Sequence, residues 1–141
     1  MRYSLDVTLN FRLAVKSKGM KGEWIMQTLA IKRVYEAPAQ SDGIRILVDR
    51  LWPRGISKVR AQLDDWMKDI APSPKLRIWF NHEPEKFGEF SRLYREELEG
   101  NAGVQKIREM LKTKNVTLVY AAKDPMVNHA IVLRDVIAGR K

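Results

Sequence analysis

The chain has no cysteine. That removes disulfides, thiolate nucleophiles and Cys-ligated zinc or iron–sulfur sites. It also fits a cytoplasmic protein, since disulfides belong to oxidising compartments. Histidine is nearly absent as well, with only His82 and His129. They do not have the i, i+4 spacing of a helical zinc motif, and no metal site is expected from them and the carboxylates. No apolar run approaches the roughly 18 residues of a membrane span, so no membrane partner is expected. The amino end lacks the long apolar centre and small-residue cleavage site of a signal peptide. Nucleophile elbow, Walker loop, dinucleotide fingerprint and internal repeats are all missing.

What remains is an ordinary globular composition: 141 residues, 45% hydrophobic and 30% charged, enough for a single domain with a real core. The formal charge of +9 favours anionic partners, either a phosphorylated small molecule or nucleic acid. Residues 1–26 read differently from the rest. Arg2, Arg12, Lys16, Lys18 and Lys21 stand there against Asp6 and Glu23. Lys16-Ser-Lys-Gly-Met-Lys-Gly22 has linker composition. The segment reads as a basic, flexible extension, with Met20 or Met26 as alternative starts; an extra strand or an arm reaching for polyanions are the other readings. The compact domain is assigned to residues 27–141.

Within it, Thr28–Tyr35, Ile44–Val48 and Val116–Tyr120 have strand composition. Asp64–Ile70 reads as a short helix. Ser73-Pro74 opens a helix through Phe80, as an N-cap and first-position pair. Pro84 opens another, in which Phe87, Phe90, Tyr94 and Leu98 share a face until Gly100. Asn101 caps a helix that turns Val104, Ile107 and Leu111 inward. Asp124-Pro125 begins a terminal helix through residue 139. Strands separated by helices imply a single α/β domain with a mostly parallel sheet and helices on both faces.

The stretch Arg45-Ile-Leu-Val-Asp49-Arg50-Leu-Trp52-Pro53-Arg54-Gly55 is the most informative. A buried strand ends there in a charged, stiffened loop, which is where open α/β sheets place ligand sites. If the strands at 44–48 and 116–120 are parallel, the second delivers Lys123, Asp124, Asn128 and His129 to the same edge. Arg50, Arg54, Lys58 and Lys123 are the candidate anion ligands and Trp52 a candidate stacking surface. Asp49 or His129 would handle protons, with Asn128 orienting the reacting group. Structural readings stand beside these. Asp124 is most simply an N-cap, Arg50 could hold a loop by its carbonyls, Trp52 could be a core or rim aromatic, and Lys58 could be surface charge.

Val48-Asp-Arg-Leu-Trp-Pro-Arg-Gly55, preceded by Ser41-Asp-Gly43, resembles the YeaO-like branch of the DUF488 family. So do Phe80-Asn-His82 with Phe90, Tyr94 and Glu97-Leu98, and Ala122-Lys-Asp-Pro-Met-Val-Asn-His-Ala130. The resemblance covers about residues 30–139. It implies a small bacterial or archaeal α/β protein, with no established reaction, substrate or cofactor. Some relatives in the wider family look like nucleic-acid-processing proteins by association. The wider family tends to show Asp-x-Arg-x-x-Pro-x-Ser and a late Cys-His-Arg. Here Arg50 and Pro53 keep that spacing, the Asp is shifted to Asp49, Gly55 replaces the Ser, and Asn128-His129-Ala130 replaces Cys-His-Arg.

The leading expectation is therefore a protein that binds a phosphate-bearing ligand, nucleotide or nucleic acid, at the carboxyl edge of the sheet, with hydrolysis or group transfer as its chemistry if it has any. A non-catalytic basic nucleic-acid binder and a structural adaptor are the alternatives. No cofactor and no oligomeric state follow from the sequence.

Overall fold

The computed structural model describes residues 2–6, 12–18 and 21–141, the first of these as backbone only. One sheet of six strands has the order β1-β2-β3-β6-β4-β5. The strands are β1 (Arg2–Asp6), β2 (Arg12–Lys18), β3 (Trp24–Arg33), β4 (Ile44–Leu47), β5 (Asp65–Trp66) and β6 (Val116–Tyr120). The pairs β1–β2 and β2–β3 are antiparallel, and β3–β6, β6–β4 and β4–β5 are parallel. The fold is thus α/β with a mixed, mostly parallel sheet. The parallel pairing that the site argument needs is present, with Ile44 opposite Val116 and Leu47 opposite Val119.

In the amino-terminal segment, residues 2–6 and 12–18 form β1 and β2 and residues 24–26 open β3, in line with the extra-strand reading. In β2, Leu13 and Val15 are fully buried, because they alternate onto the same core face as Leu29 and Ile31. Residues 1, 7–11 and 19–20 of that segment lie outside the described residues.

All five residues of β6 are buried, as a central parallel strand requires. Val116, Leu118 and Tyr120 join the larger core. There they meet α2 (Pro74–Phe80), α3 (Phe87–Leu98), α4 (Ala102–Met110) and α5 (His129–Ala138). Phe80 and Phe90 stack at 4.2 Å and tie α2 to α3. Val119 faces the other way into a small cluster with Val34, Ile56 and Ala61. Where helices on both faces are expected, the four longer helices share one face. The other carries the four-residue α1 (Lys58–Ala61) and the loop before it.

The caps at Ser73 and Asn101 form as the sequence suggests. Two expectations are corrected. Residues 64–70 are not a helix but β5 followed by a 3-10 turn, because the edge of β4 captures them: Asp64 N–H donates to the Arg45 carbonyl at 2.8 Å and Met67 N–H to that of Leu47 at 2.9 Å. The last helix starts at His129 and not at Pro125. Asn128 is its N-cap, accepting from Ile131 N–H at 3.1 Å, while Asp124 closes the preceding turn by accepting from Met126 and Val127.

On the second face a charged cluster is buried. The Arg45 guanidinium donates to Asp42 Oδ2 at 2.7 Å and to the carbonyls of Ala61 and Gln62, which pins the end of α1 to the sheet. Asp42 also accepts from Lys32 and from Ala39 N–H. Gly43 beside it has φ 66°, and a Cβ there would stand 2.2 Å from the Asn115 carbonyl oxygen, so only glycine fits. Burial alone would raise the Asp42 pKa, but the Ala39 amide, Lys32 and Arg45 together outweigh it and hold the carboxyl below its ordinary value. Its contribution to stability is therefore complete above the ordinary carboxylate range and is lost as pH falls through the lowered folded value. Asp42→Asn should cost about 3 kcal/mol at neutral pH, since it strands part of a buried ion pair. Urea unfolding across pH should also show a shallower stability loss below pH ~4 in the variant than in the parent protein.

Candidate functional site

Strand β6 is flanked by β3 and β4, and the three part company at their carboxyl ends. The last ladder contacts are Val48 N–H to the Val119 carbonyl at 3.0 Å and Val34 N–H to that of Tyr120 at 2.7 Å. Beyond them the backbone of 121–122 has no strand to pair with, and two charged side chains take over. Asp49 Oδ2 accepts from Ala121 N–H at 3.0 Å. Arg33 Nε donates to the Ala122 carbonyl at 2.9 Å and its Nη2 to that of Ala121 at 3.3 Å. The opening that results is a cleft of about 710 Å³, a size suited to a nucleotide-sized ligand.

The loops after β4 and β6 both line this cleft. Asp49, Arg50, Trp52, Arg54, Lys123, Asn128 and His129 all lie on its wall, and Lys58, exposed at the start of α1, does not. Their commitments differ. His129 Nε2 stands 3.0 Å from the Val48 carbonyl and 3.1 Å from Asp49 Oδ1. A carbonyl oxygen can only accept, so Nε2 carries the proton and aims it at Val48. Asp49 Oδ1 is left buried without an aligned donor. Asn128 is 1% exposed, with Oδ1 capping α5 and Nδ2 donating to the Asp124 carbonyl at 2.8 Å. Trp52 Nε1 donates to the Ile56 carbonyl at 2.8 Å, and its ring meets Trp66 edge-on at 5.5 Å. Trp66 Nε1 in turn donates to the Asp49 carbonyl at 2.7 Å. Arg50 reaches across to the carbonyls of Ala71 and Pro72 through long contacts of 3.3–3.4 Å.

Arg54 and Lys123 are exposed and make no side-chain hydrogen bond or ion pair among the described residues. Arg77, for which the sequence offers no signal, also lines the cleft and is equally unpaired among the described residues, and His82 lines it as well. Both come from α2 and its end. Only the docking of α2 through Leu76 and Phe80 brings them here, and nothing local in the sequence announces that. The docking is braced by Glu97, which accepts from Ser73 N–H at 2.9 Å and from its hydroxyl at 2.6 Å. Beneath the cleft, Tyr94 donates to the Ile70 carbonyl at 2.6 Å. Burial first, then the Glu97 and Asp49 carboxylates, push that phenol well above its ordinary pKa, so it stays a neutral donor.

Among the described residues no group of three or more His, Asp or Glu is placed to hold a metal ion. No helix among them is long and apolar enough to cross a membrane. Among the described residues the cleft wall contains no Ser or Thr that could serve as a nucleophile.

Residues 28–140 match the family model described as "Inactive DUF488-N3 subclade". The uncharacterized protein YeaO of Escherichia coli K12 is 46% identical over 105 residues, covering 74% of this chain and 91% of the relative. The uncharacterized protein Rv3073c of Mycobacterium tuberculosis H37Rv is 43% identical over 110 residues, covering 78% of this chain and 93% of the relative. No solved structure matches. The motifs around Asp49, His82 and His129, the α/β architecture and these relatives agree: the chain belongs to the DUF488 family, in its YeaO-like branch.

Proposed function

We propose that this protein binds a phosphate-bearing small ligand, of nucleotide size, in the cleft at the carboxyl edge of its sheet, and that it binds without transforming it. The observation that carries this reading is the set of cations on the cleft wall that have no partner among the described residues, Arg54, Lys123 and Arg77. Arginine left without a protein partner beside a cleft suits bidentate phosphate contact. Arg50 adds a fourth positive charge. Against the four stand two carboxylates, Asp49 and Asp124, and both are engaged by backbone N–H groups.

The groups suited to chemistry point to binding alone. Asp49, His129 Nε2 and Asn128 all serve backbone groups that nothing else would satisfy. His129 Nδ1 has no partner among the described residues, but no Ser or Thr among them stands on the cleft wall for it to activate. The word "Inactive" in the matched subclade's description agrees with this. In this reading hydrolysis and group transfer drop out, and the cytoplasm, where phosphorylated metabolites abound, is the proposed setting.

A second reading rests on a different surface. Lys16 Nζ lies 4.5 Å over the ring of exposed Trp24, on the sheet face that also carries Lys18 and Met26. A basic, aromatic strand pair suits single-stranded nucleic acid.

Three outcomes are expected. Arg54→Ala and Lys123→Ala should each weaken binding of adenosine triphosphate about tenfold or more in calorimetric titration, given roughly 1.5–3 kcal/mol per charged contact. Their melting temperatures should not move, since neither side chain has a partner to lose. Asp49→Ala should cost about 1–3 kcal/mol in urea unfolding by orphaning the Ala121 N–H. If the variant is instead as stable as the parent, Asp49 is not a structural group and the case against chemistry weakens. For the second surface, oligonucleotide affinity that falls steeply with salt and drops in Trp24→Ala, while Arg54→Ala leaves it unchanged, would place nucleic acid there and not in the cleft.

A further inference from the structure

Besides the two strand-end loops, the cleft is lined by the end of α2, which turns in an unusual way. Asn81 has φ 47° and His82 has φ 55°, two successive non-glycine residues in the left-handed region. Each such residue costs on the order of 1 kcal/mol and persists where the surroundings fix it, often at ligand sites. Asn81 has a structural reason to be there, since it is the C-cap of α2 and its N–H donates to the Arg77 carbonyl at 3.0 Å. His82 has none. Glycine would adopt its backbone at no steric cost. Its side chain is exposed, makes no hydrogen bond or ion pair among the described residues, and lies near the Phe80 ring, at 6.2 Å between centroids. It does line the cleft, beside the unpaired Arg77.

We infer that Arg77 and His82 form a second anion-binding wall, so that the ligand of this cleft carries more than one phosphate group: an organic or inorganic polyphosphate, gripped by Arg54 and Lys123 at one end and by Arg77 and His82 at the other. This rests on the ligand-binding reading given above and narrows it. A lone phosphate would leave most of the cleft of about 710 Å³ empty and could not engage the cations of both walls. A polyphosphate chain distributes its charge along its length and meets both. The strained backbone at His82 is then the cost of aiming an imidazole into the cleft at the C-terminal end of α2, where a glycine would leave only backbone.

The test uses the full chain and four probes: inorganic phosphate, inorganic triphosphate, adenosine monophosphate and adenosine triphosphate. The parent protein should bind each triphosphate at least tenfold more tightly than its single-phosphate counterpart. His82→Gly relieves the backbone while removing the side chain, so it should keep or raise the melting temperature. In that variant, and in Arg77→Ala, the preference for triphosphate over monophosphate should fall at least fivefold, while single-phosphate affinity changes little. A merely structural role for His82 would lower affinity for all four probes together or for none. If the preference is unchanged in both variants while Arg54→Ala and Lys123→Ala still weaken binding, the second wall is wrong and the ligand-binding reading stands. If the parent protein binds none of the four, both are overturned.

Discussion

The carboxyl edge of the sheet depends on one constraint: the backbone of residues 121–122 leaves the ladder and must still be hydrogen-bonded. A buried amide left unpaired costs as much as a lost hydrogen bond. Strands β3 and β4 diverge there from β6, so no neighbouring backbone is within reach. Arg33 at the end of β3 and Asp49 after β4 supply the missing partners from their side chains, one donating and one accepting. The rest of the edge follows. With Asp49 committed to Ala121, its carbonyl is fixed by the Trp66 indole, and the Trp52 indole closes the loop that follows. His129, first residue of α5, is drawn between Val48 and Asp49. The cleft is the space that remains where the strands part.

The fold was readable where local chemistry and tertiary packing agree. β6 is a run of β-branched and other strand-forming residues, buried throughout, and lies at the centre of the parallel portion, where such runs belong. Ser73-Pro74 and Asn101 cap the helices they precede, because an N-cap is a contact over three residues that the sequence contains in full. The sequence failed where a distant partner decides. Asp64–Ile70 has no strand periodicity, and its Asp65–Trp66 becomes β5 only because β4 offers an unpaired edge. Asp124-Pro125 carries every local sign of a helix start, yet Asn128 makes the cap. Buried at 1%, Asn128 can also donate to the Asp124 carbonyl, and that tertiary burial cannot be seen in the chain. Leu13 and Val15 likewise become core residues only once β3 lies beside them.

The site was legible to a similar depth. Parallel pairing of β4 and β6 brings both strand-end loops to one edge, as their order along the chain implies, and Lys58 alone of the named residues falls away from it. The opposite wall was not legible. Arg77 sits between buried Leu76 and Phe80, and its direction depends on how α2 docks against α3 through stacked phenylalanines. A residue's neighbours in sequence say which side of a helix it occupies, and not what that side meets.

The same constraint separates the residues at this edge into two kinds. Side chains closest to the strand ends are the ones that backbone groups recruit, because that is where the ladder stops and unpaired N–H and C=O groups collect. Asp49, Asn128 and His129 are there, and the chain itself engages Asp49 Oδ2, both ends of the Asn128 amide and His129 Nε2. Arg54, Lys123 and Arg77 line the same cleft, and among the described residues their side chains have no hydrogen-bond or ion-pair partner. In an open α/β sheet the residues at a strand's end look the most functional in sequence, since charge interrupts an apolar run abruptly. Here that interruption is what the fold needs to end a central strand, and the freedom to meet a ligand begins with the next cations along each loop.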